Sequence, residues 1–360
     1  MAILSILTQR LFNQQIAACA FTKPGEIISH LGAMQAQDFG MAKWAVGMRV
    51  PGLHDNDVEK AFNEGKILRT HVLRPTWHFV SPTDIRWMVE LTAPRINALS
   101  AYYFRATELD TKVFKKTNAI IAKALQGNNH LTRTALQQEL AKAKVKAEGL
   151  RLNYIMMRAE LDAVICSGPR QGKQFTYALM DERSPQAKSL HKHEALATLA
   201  KTYFATRGPA TIADFATWSG LSMTDAKQGA HLAGKSIVQQ TINGKEYFYG
   251  EPNPGADAKL SAKHQSTFLM PDYDEYGISY KDRSDIFGER KTTTNTKAEN
   301  PVFYHTLIVD GTAAGTWKKV VNKKETDVEI TLTAKLSKAK QQAVEKAVKK
   351  YLAFINNRPK

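Results

Sequence analysis

The chain has 360 residues, 43% hydrophobic and 23% charged, enough for folded cores in two or three domains, or more if they are small. Fifty Lys and Arg against thirty-four Asp and Glu leave a formal charge of +16. That excess points to a polyanionic partner, because neutralised phosphates release counterions. No apolar run is long enough to suggest a membrane span, and two distant cysteines, Cys19 and Cys166, fit a reducing cytoplasm.

The N-terminal "MAILSILTQRLF" lacks a basic leader and a small-residue cleavage site and reads as helix. Helices are expected at about 3–20, 24–33, 40–49 and 55–64. Between the second and third lies "LGAMQAQDFGMAKW", residues 31–44, in which Gly32 and Gly40 are plausible breakers. Two glutamines at i and i+2 diverge on a helix but share one side of an extended segment, so Gln35 and Gln37 are expected to point together from a short extended interruption. From spacing alone they are either a site or two solvated surface amides. "KILRTHVLRPTWHFVS" follows as a strand pair turning near Arg74-Pro75, with a packed Trp77 and a hydrogen-bonded or cleft-facing His78.

Helix, turn, helix, then hairpin recurs downstream. "HLTRTALQQELAKAKV" and "LRLNYIMMRAELDAVI" read as helices, closed by "CSGPRQGKQFTYALM" as a turn between short strands. In the next unit Thr211 caps one helix, and Ser222 or Thr224 caps a second running to about Leu232. Two strands then flank Asn243-Gly244, a strong hairpin signal. From about 256 the pattern becomes short β-prone runs, with a hairpin turn at Asp310-Gly311 and a polar, mobile loop over 281–300. A last helix from about Lys338 to Asn356 turns Val344, Val348, Tyr351, Leu352 and Ile355 inward. Residues 311–360 carry twelve Lys/Arg and four Asp/Glu, a large share of the basic excess.

The expected fold class is α+β, predominantly helical: three tandem winged-helix units, a small C-terminal antiparallel β-barrel and a terminal helix. The boundaries are 1–105, 106–185, 186–255 and 256–360. There is no phosphate-binding Gly-Lys loop, dinucleotide fingerprint, nucleophile elbow or HExxH pair. His191 and His193 face two sides of a helix, so neither metal nor cofactor is expected. Asp272, Asp274 and Glu275 are followed by Lys281 and Arg283, which predicts structural ion pairs among them.

Six stretches, in order, resemble the AlkZ/YcaQ-like family of winged-helix DNA glycosylases: "MQAQD", "LRTHVLRPTWHFVSPTD", "SGPRQGKQFTYALMDER", "GPATIADFATWSGLS", "FLMPDYDEYGISYKDR" and "LIVDGTAAGTWKK". All six lie within about residues 9 to 320. The resemblance implies three winged helices around a DNA-sized concave face, and it implies that Gln35 and Gln37 form the catalytic Gln–apolar–Gln motif of the AlkZ-like branch. Pro75 and Trp77 depart from the family pattern, which has Gly and Leu there.

The implied activity is a monofunctional DNA glycosylase acting on N7- or N3-alkylated purines, including bulky or crosslinked ones, and leaving an abasic site. An amide does not titrate near neutral pH, but a cationic alkylpurine departs without prior protonation. Two amide oxygens then suffice to place dipoles and hold a water. Asp38 and His78 are weaker catalytic candidates. Arg69, Arg74, Arg170, Lys173, Lys245, Lys318 and Lys319 are the candidate DNA contacts, the hairpin ones being alternatively solvent-facing turns. The expected protein is a cytoplasmic, nucleoid-associated monomer on damaged double-stranded DNA. The alternative is a non-enzymatic winged-helix DNA-binding protein or transcription regulator, although "MTDAKQGAHLAG" is poor in Arg for a recognition helix.

Overall fold

A computed structural model describes residues 6–250, 266–288, 305–321 and 326–356. The fold is α+β, about half helical, with an antiparallel sheet toward the C-terminus. Helix α1 (Ile6–Asn13) stops short of the expected 3–20, residues 14–18 turning instead, while α2 (Pro24–Leu31), α3 (Phe39–Arg49) and α4 (Asp55–Asn63) occupy the expected places. The interruption between α2 and α3 is a strand, β1 (Ala33–Gln35), entered at Gly32 with φ 75°. Asp38 ends it by capping α3, its Oδ1 accepting from the Met41 amide at 2.9 Å. Strand β1 pairs with β3 (Thr76–Val80), which pairs with β2 (Leu68–Val72), giving the order β1-β3-β2. Gln35 lies opposite His78, and His78 opposite Thr70.

Helices α5 (Ile85–Ala106) and α6 (Thr111–Leu125) follow. After them come β4 (Leu131–Thr132), α7 (Arg133–Lys142), α8 (Gly149–Leu161), β5 (Ile165–Ser167), β6 (Thr176–Leu179) and the short α9 (Met180–Arg183), with sheet order β4-β6-β5. A further group of elements starts with α10 (Lys192–Arg207). Thr211 and Asp214 form a capping box on α11 (Ile212–Ser219), and Ser222 caps α12 (Met223–Ala233). Strands β7 (Ile237–Ile242) and β8 (Lys245–Gly250) close it around Asn243-Gly244, both at positive φ.

Strand β9 (Thr267–Leu269), the short helices α13 (Glu275–Ile278) and α14 (Ser284–Phe287), then β10 (Thr306–Val309), β11 (Thr312–Val321) and β12 (Thr326–Leu332) complete the β-rich part, in the order β12-β11-β10-β9. The segment read as one polar loop over 281–300 thus contains a helical turn, and its residues 289–300 lie outside the described residues. Helix α15 (Lys338–Asn356) buries Val344, Ala347, Tyr351 and Phe354, a stripe shifted from the expected one; Val348, Leu352 and Ile355 are only partly covered. The shift has a packing cause. Phe354 lies on Gly47 of α3, where a Cβ would collide with its ring, and Tyr351 and Phe354 enclose Trp44. The β-rich part is therefore clamped onto the helix that follows the glutamine motif.

Candidate active site

Antiparallel pairing sorts the first sheet into two faces. One carries Gln35, His78, Thr76 and Thr70, and alternation continued past Gln35 puts Gln37 on the same side. The other carries Met34, Phe79, Trp77, Arg69 and His71, with Ala36 extending it. Gln35 is half-buried and Gln37 exposed, so the pair emerges at the sheet's rim.

Each glutamine is held by groups that only donate. The Gln35 Oε1 accepts from Arg74 Nη2 at 3.0 Å, and the Gln37 Oε1 from the Trp77 amide at 3.4 Å. Neither donor can accept a hydrogen bond, which fixes the oxygen end of both amides. The motif's backbone is gripped as well. Ala36 N donates to the Trp77 carbonyl at 2.8 Å, Arg69 Nε donates to the Ala36 carbonyl at 2.9 Å, and Gln35 N donates to Glu275 Oε1 at 2.9 Å.

Glu275 is fully buried and arrives from residues 240 positions away. Its other oxygen accepts from Arg207 Nη2 at 2.8 Å, Trp218 Nε1 at 2.8 Å and Ser279 Oγ at 2.9 Å. Burial alone would raise its pKa. The Arg207 guanidinium and the Gln35 amide outweigh that and hold it at about 2. Arg207 also donates to the Leu31 and Ala33 carbonyls, so one buried cation fixes both ends of the turn into β1. Next to this pair, Asp274 receives Arg49 at 2.7 and 2.9 Å. The expected ion pairing of Asp274 and Glu275 is present, but with Arg49 and Arg207 rather than Lys281 and Arg283. Asp272 instead lies 3.8 Å from His305.

His78 is buried completely. Burial, with Arg74 nearby, pushes its pKa down to about 3, so it is neutral at physiological pH and does not line a solvent cleft. Its Nδ1 donates to the Thr76 carbonyl at 3.0 Å; its Nε2, Thr70 Oγ1 and Thr76 Oγ1 are buried with no hydrogen-bond partner among the described residues. Asp38 is exposed and serves as the α3 cap.

The seven basic candidates separate. Arg69 is buried between the Trp77 and Phe175 rings, 4.4 and 4.6 Å from their centroids, and faces the motif's backbone rather than solvent. Arg74, half-buried, bridges Gln35 and the Thr217 carbonyl of α11, the latter at 3.4 Å. Arg170 stacks on Phe39 and Phe175 and pairs with Glu59 at 3.1 Å, beside the exposed Lys173. Lys245 pairs with Asp282 at 3.2 Å, Lys318 with Glu329 at 2.7 Å, and Lys319 is exposed; these three belong to other sheets. The sequence reading singled out neither Arg207, Trp218 nor Glu160. Glu160 takes His71 Nδ1 on one oxygen and the Trp77 indole at 3.4 Å on the other.

The family model described as DNA glycosylase AlkZ-like matches residues 28–354 of the chain. The chain belongs to the AlkZ-like DNA glycosylase family. It is 23% identical over 309 residues, 82% of each chain, to a Streptomyces sahachiroi protein named interstrand DNA cross-link repair glycosylase. The solved structure of Streptomyces sahachiroi DNA glycosylase AlkZ superposes with a TM-score of 0.75 at 20% identity, covering 98% of this chain and 97% of that one. Among the described residues no helix is long and apolar enough to cross a membrane.

Proposed function

We propose that this protein hydrolyses the N-glycosidic bond of N7- or N3-alkylated purines in double-stranded DNA, bulky and crosslinked adducts included, with Gln35 and Gln37 as the catalytic pair. The observation that carries the reading is two uncharged amides at the rim of one sheet, their oxygens facing Arg74 and the Trp77 amide, on a backbone held by Glu275. An alkylated purine is cationic, so the C1′–N9 bond breaks with its electron pair leaving on a neutral base. What remains is an oxocarbenium-like sugar and an attacking water, which need fixed dipoles and a held geometry rather than a strong acid. An undamaged base lacks this built-in activation, so lesion selectivity begins with the substrate. The crosslink-repair name of the Streptomyces relative supports a bulky-adduct substrate.

In this reading residues 1–105, 106–185 and 186–255 are three winged-helix units, and 256–360 a β-barrel with its closing helix. The enzyme works as a cytoplasmic, nucleoid-associated monomer. Lys173, Lys245, Lys318 and Lys319 are the surface contacts to DNA, with Arg170 behind Lys173. The excess of +16 supplies general attraction to the duplex. Release of N7-methylguanine, of a bulky N7 adduct and of a crosslinked base from oligonucleotides tests the activity. Gln35→Ala and Gln37→Ala should each lower single-turnover release by about 10²-fold or more while the protein stays folded. Undiminished release by both variants refutes the pair as catalytic. Sequence-specific binding to intact duplex with no base release by the wild type favours a regulator instead.

A further inference from the structure

We infer that Arg74 is a positioning residue of the reaction rather than a contact to the DNA backbone, and that it turns Gln35 into a hydrogen-bond donor to the departing base. The inference rests on the proposed glycosylase reading and assigns the two glutamines different tasks.

Arg74 sits in the β2–β3 turn, and its two terminal nitrogens go to Gln35 Oε1 at 3.0 Å and to the Thr217 carbonyl at 3.4 Å. The turn is itself seated on the α11–α12 connection. Gly220, at φ 69°, lies so close to the Leu73 carbonyl oxygen that a Cβ would collide with it. A guanidinium held on two sides in this way is poorly placed to follow a phosphate. An arginine has no acceptor, so the atom that Gln35 turns toward it is the oxygen, and the Nε2 group is turned away from the guanidinium. The guanidinium also draws electron density from the amide and strengthens its N–H as a donor.

As the C1′–N9 bond breaks, N9 keeps the bonding pair and becomes a better acceptor. A donor aimed there is worth more in the transition state than in the ground state, which is the condition for catalysis. No proton is transferred in this step. The oxygen of an attacking water bonds to C1′, and the water's proton passes to solvent. Gln37, exposed and held only through Trp77 N at 3.4 Å, is left to orient that water.

The test pairs single-turnover release of N7-methylguanine, at saturating enzyme, with duplex binding measured over about 50–200 mM salt. Wild-type release comes first; if no alkylated base is released, the glycosylase reading fails before this inference is reached. With wild-type release in hand, Arg74→Ala should slow release by about 10²-fold and leave the salt slope unchanged. Arg74→Lys, which can still reach Gln35 but not both partners, should recover about tenfold of that loss. Gln35→Glu keeps an oxygen for Arg74 but has no N–H, so it should be as slow as Gln35→Ala. Two results overturn the inference: an Arg74→Ala salt slope reduced by about 1 with release unimpaired, which marks a phosphate contact, or near wild-type release by Gln35→Glu.

Discussion

The two faces of the β1-β3-β2 sheet bury similar numbers of polar groups but treat them differently. On the face opposite the glutamines, Arg69 lies between two rings and on the Ala36 carbonyl, while His71 and the Trp77 indole share the two oxygens of Glu160. Every charge there has a partner within the sheet or on α8. On the glutamine face, His78, Thr70 and Thr76 each keep a buried polar atom without a partner among the described residues, and the charge balance comes from Glu275 and Arg207, far away in sequence. Leaving buried polar atoms unsatisfied costs stability. The difference separates a face whose buried polar groups are paired locally from one that depends on partners brought from far along the chain.

That contrast can be broken most forcefully at Glu275. Glu275→Gln keeps the shape but leaves Arg207 as an unpaired buried cation, so denaturant unfolding should register a loss of about 3–5 kcal/mol. Release of alkylated base at saturating enzyme should fall with it, because Gln35 N loses its acceptor. Glu160→Gln makes the matching change on the other face, where one of His71 and Trp77 can still meet the amide oxygen. Here the expected loss is about 1–3 kcal/mol, with the excision rate held within about threefold. Equal rate losses from the two variants would erase the distinction between the faces.

Acid sharpens the same contrast. Glu275 stays ionised in the folded protein down to about 2, whereas the ordinary value is 4.5, so its contribution is complete above 4.5 and lost as pH falls toward 2. His78 behaves alike in sign. Held neutral to about 3 against an ordinary 6.5, it lets the unfolded chain bind a proton that the folded chain refuses, and stability declines as pH drops from 6.5 toward 3. His78→Asn should therefore flatten the stability-versus-pH curve in that window by up to about 1.4 kcal/mol per pH unit, read from urea midpoints at a series of pH values. An unchanged slope would show that His78 is protonated in the folded state. The smallest expected effect is at Gly220. Gly220→Ala forces a Cβ into a left-handed position against Leu73, costing about 1–2 kcal/mol and displacing the turn that carries Arg74. Release should slow more than the stability change alone predicts.

The sequence by itself determined the local pieces. Capping residues and glycines marked α11, α12 and the Asn243-Gly244 and Asp310-Gly311 turns, because those signals act over three or four residues. The extended interruption at the glutamines was legible in part: Gly32 opens it as expected, whereas Gly40, read as the second breaker, lies inside α3 and Asp38 ends the segment instead. What the tertiary structure decided was which distant charge meets which. Asp274 and Glu275 look beforehand as if they belong to Lys281 and Arg283, yet they pair with Arg49 and Arg207; Arg69 and Arg74, which look like DNA contacts, turn inward to the motif. The physical reason is that local propensity is set by neighbours along the chain. The partner of a buried charge is set instead by which elements pack together, and a long flexible side chain reaches whichever acceptor that packing brings within about 3 Å.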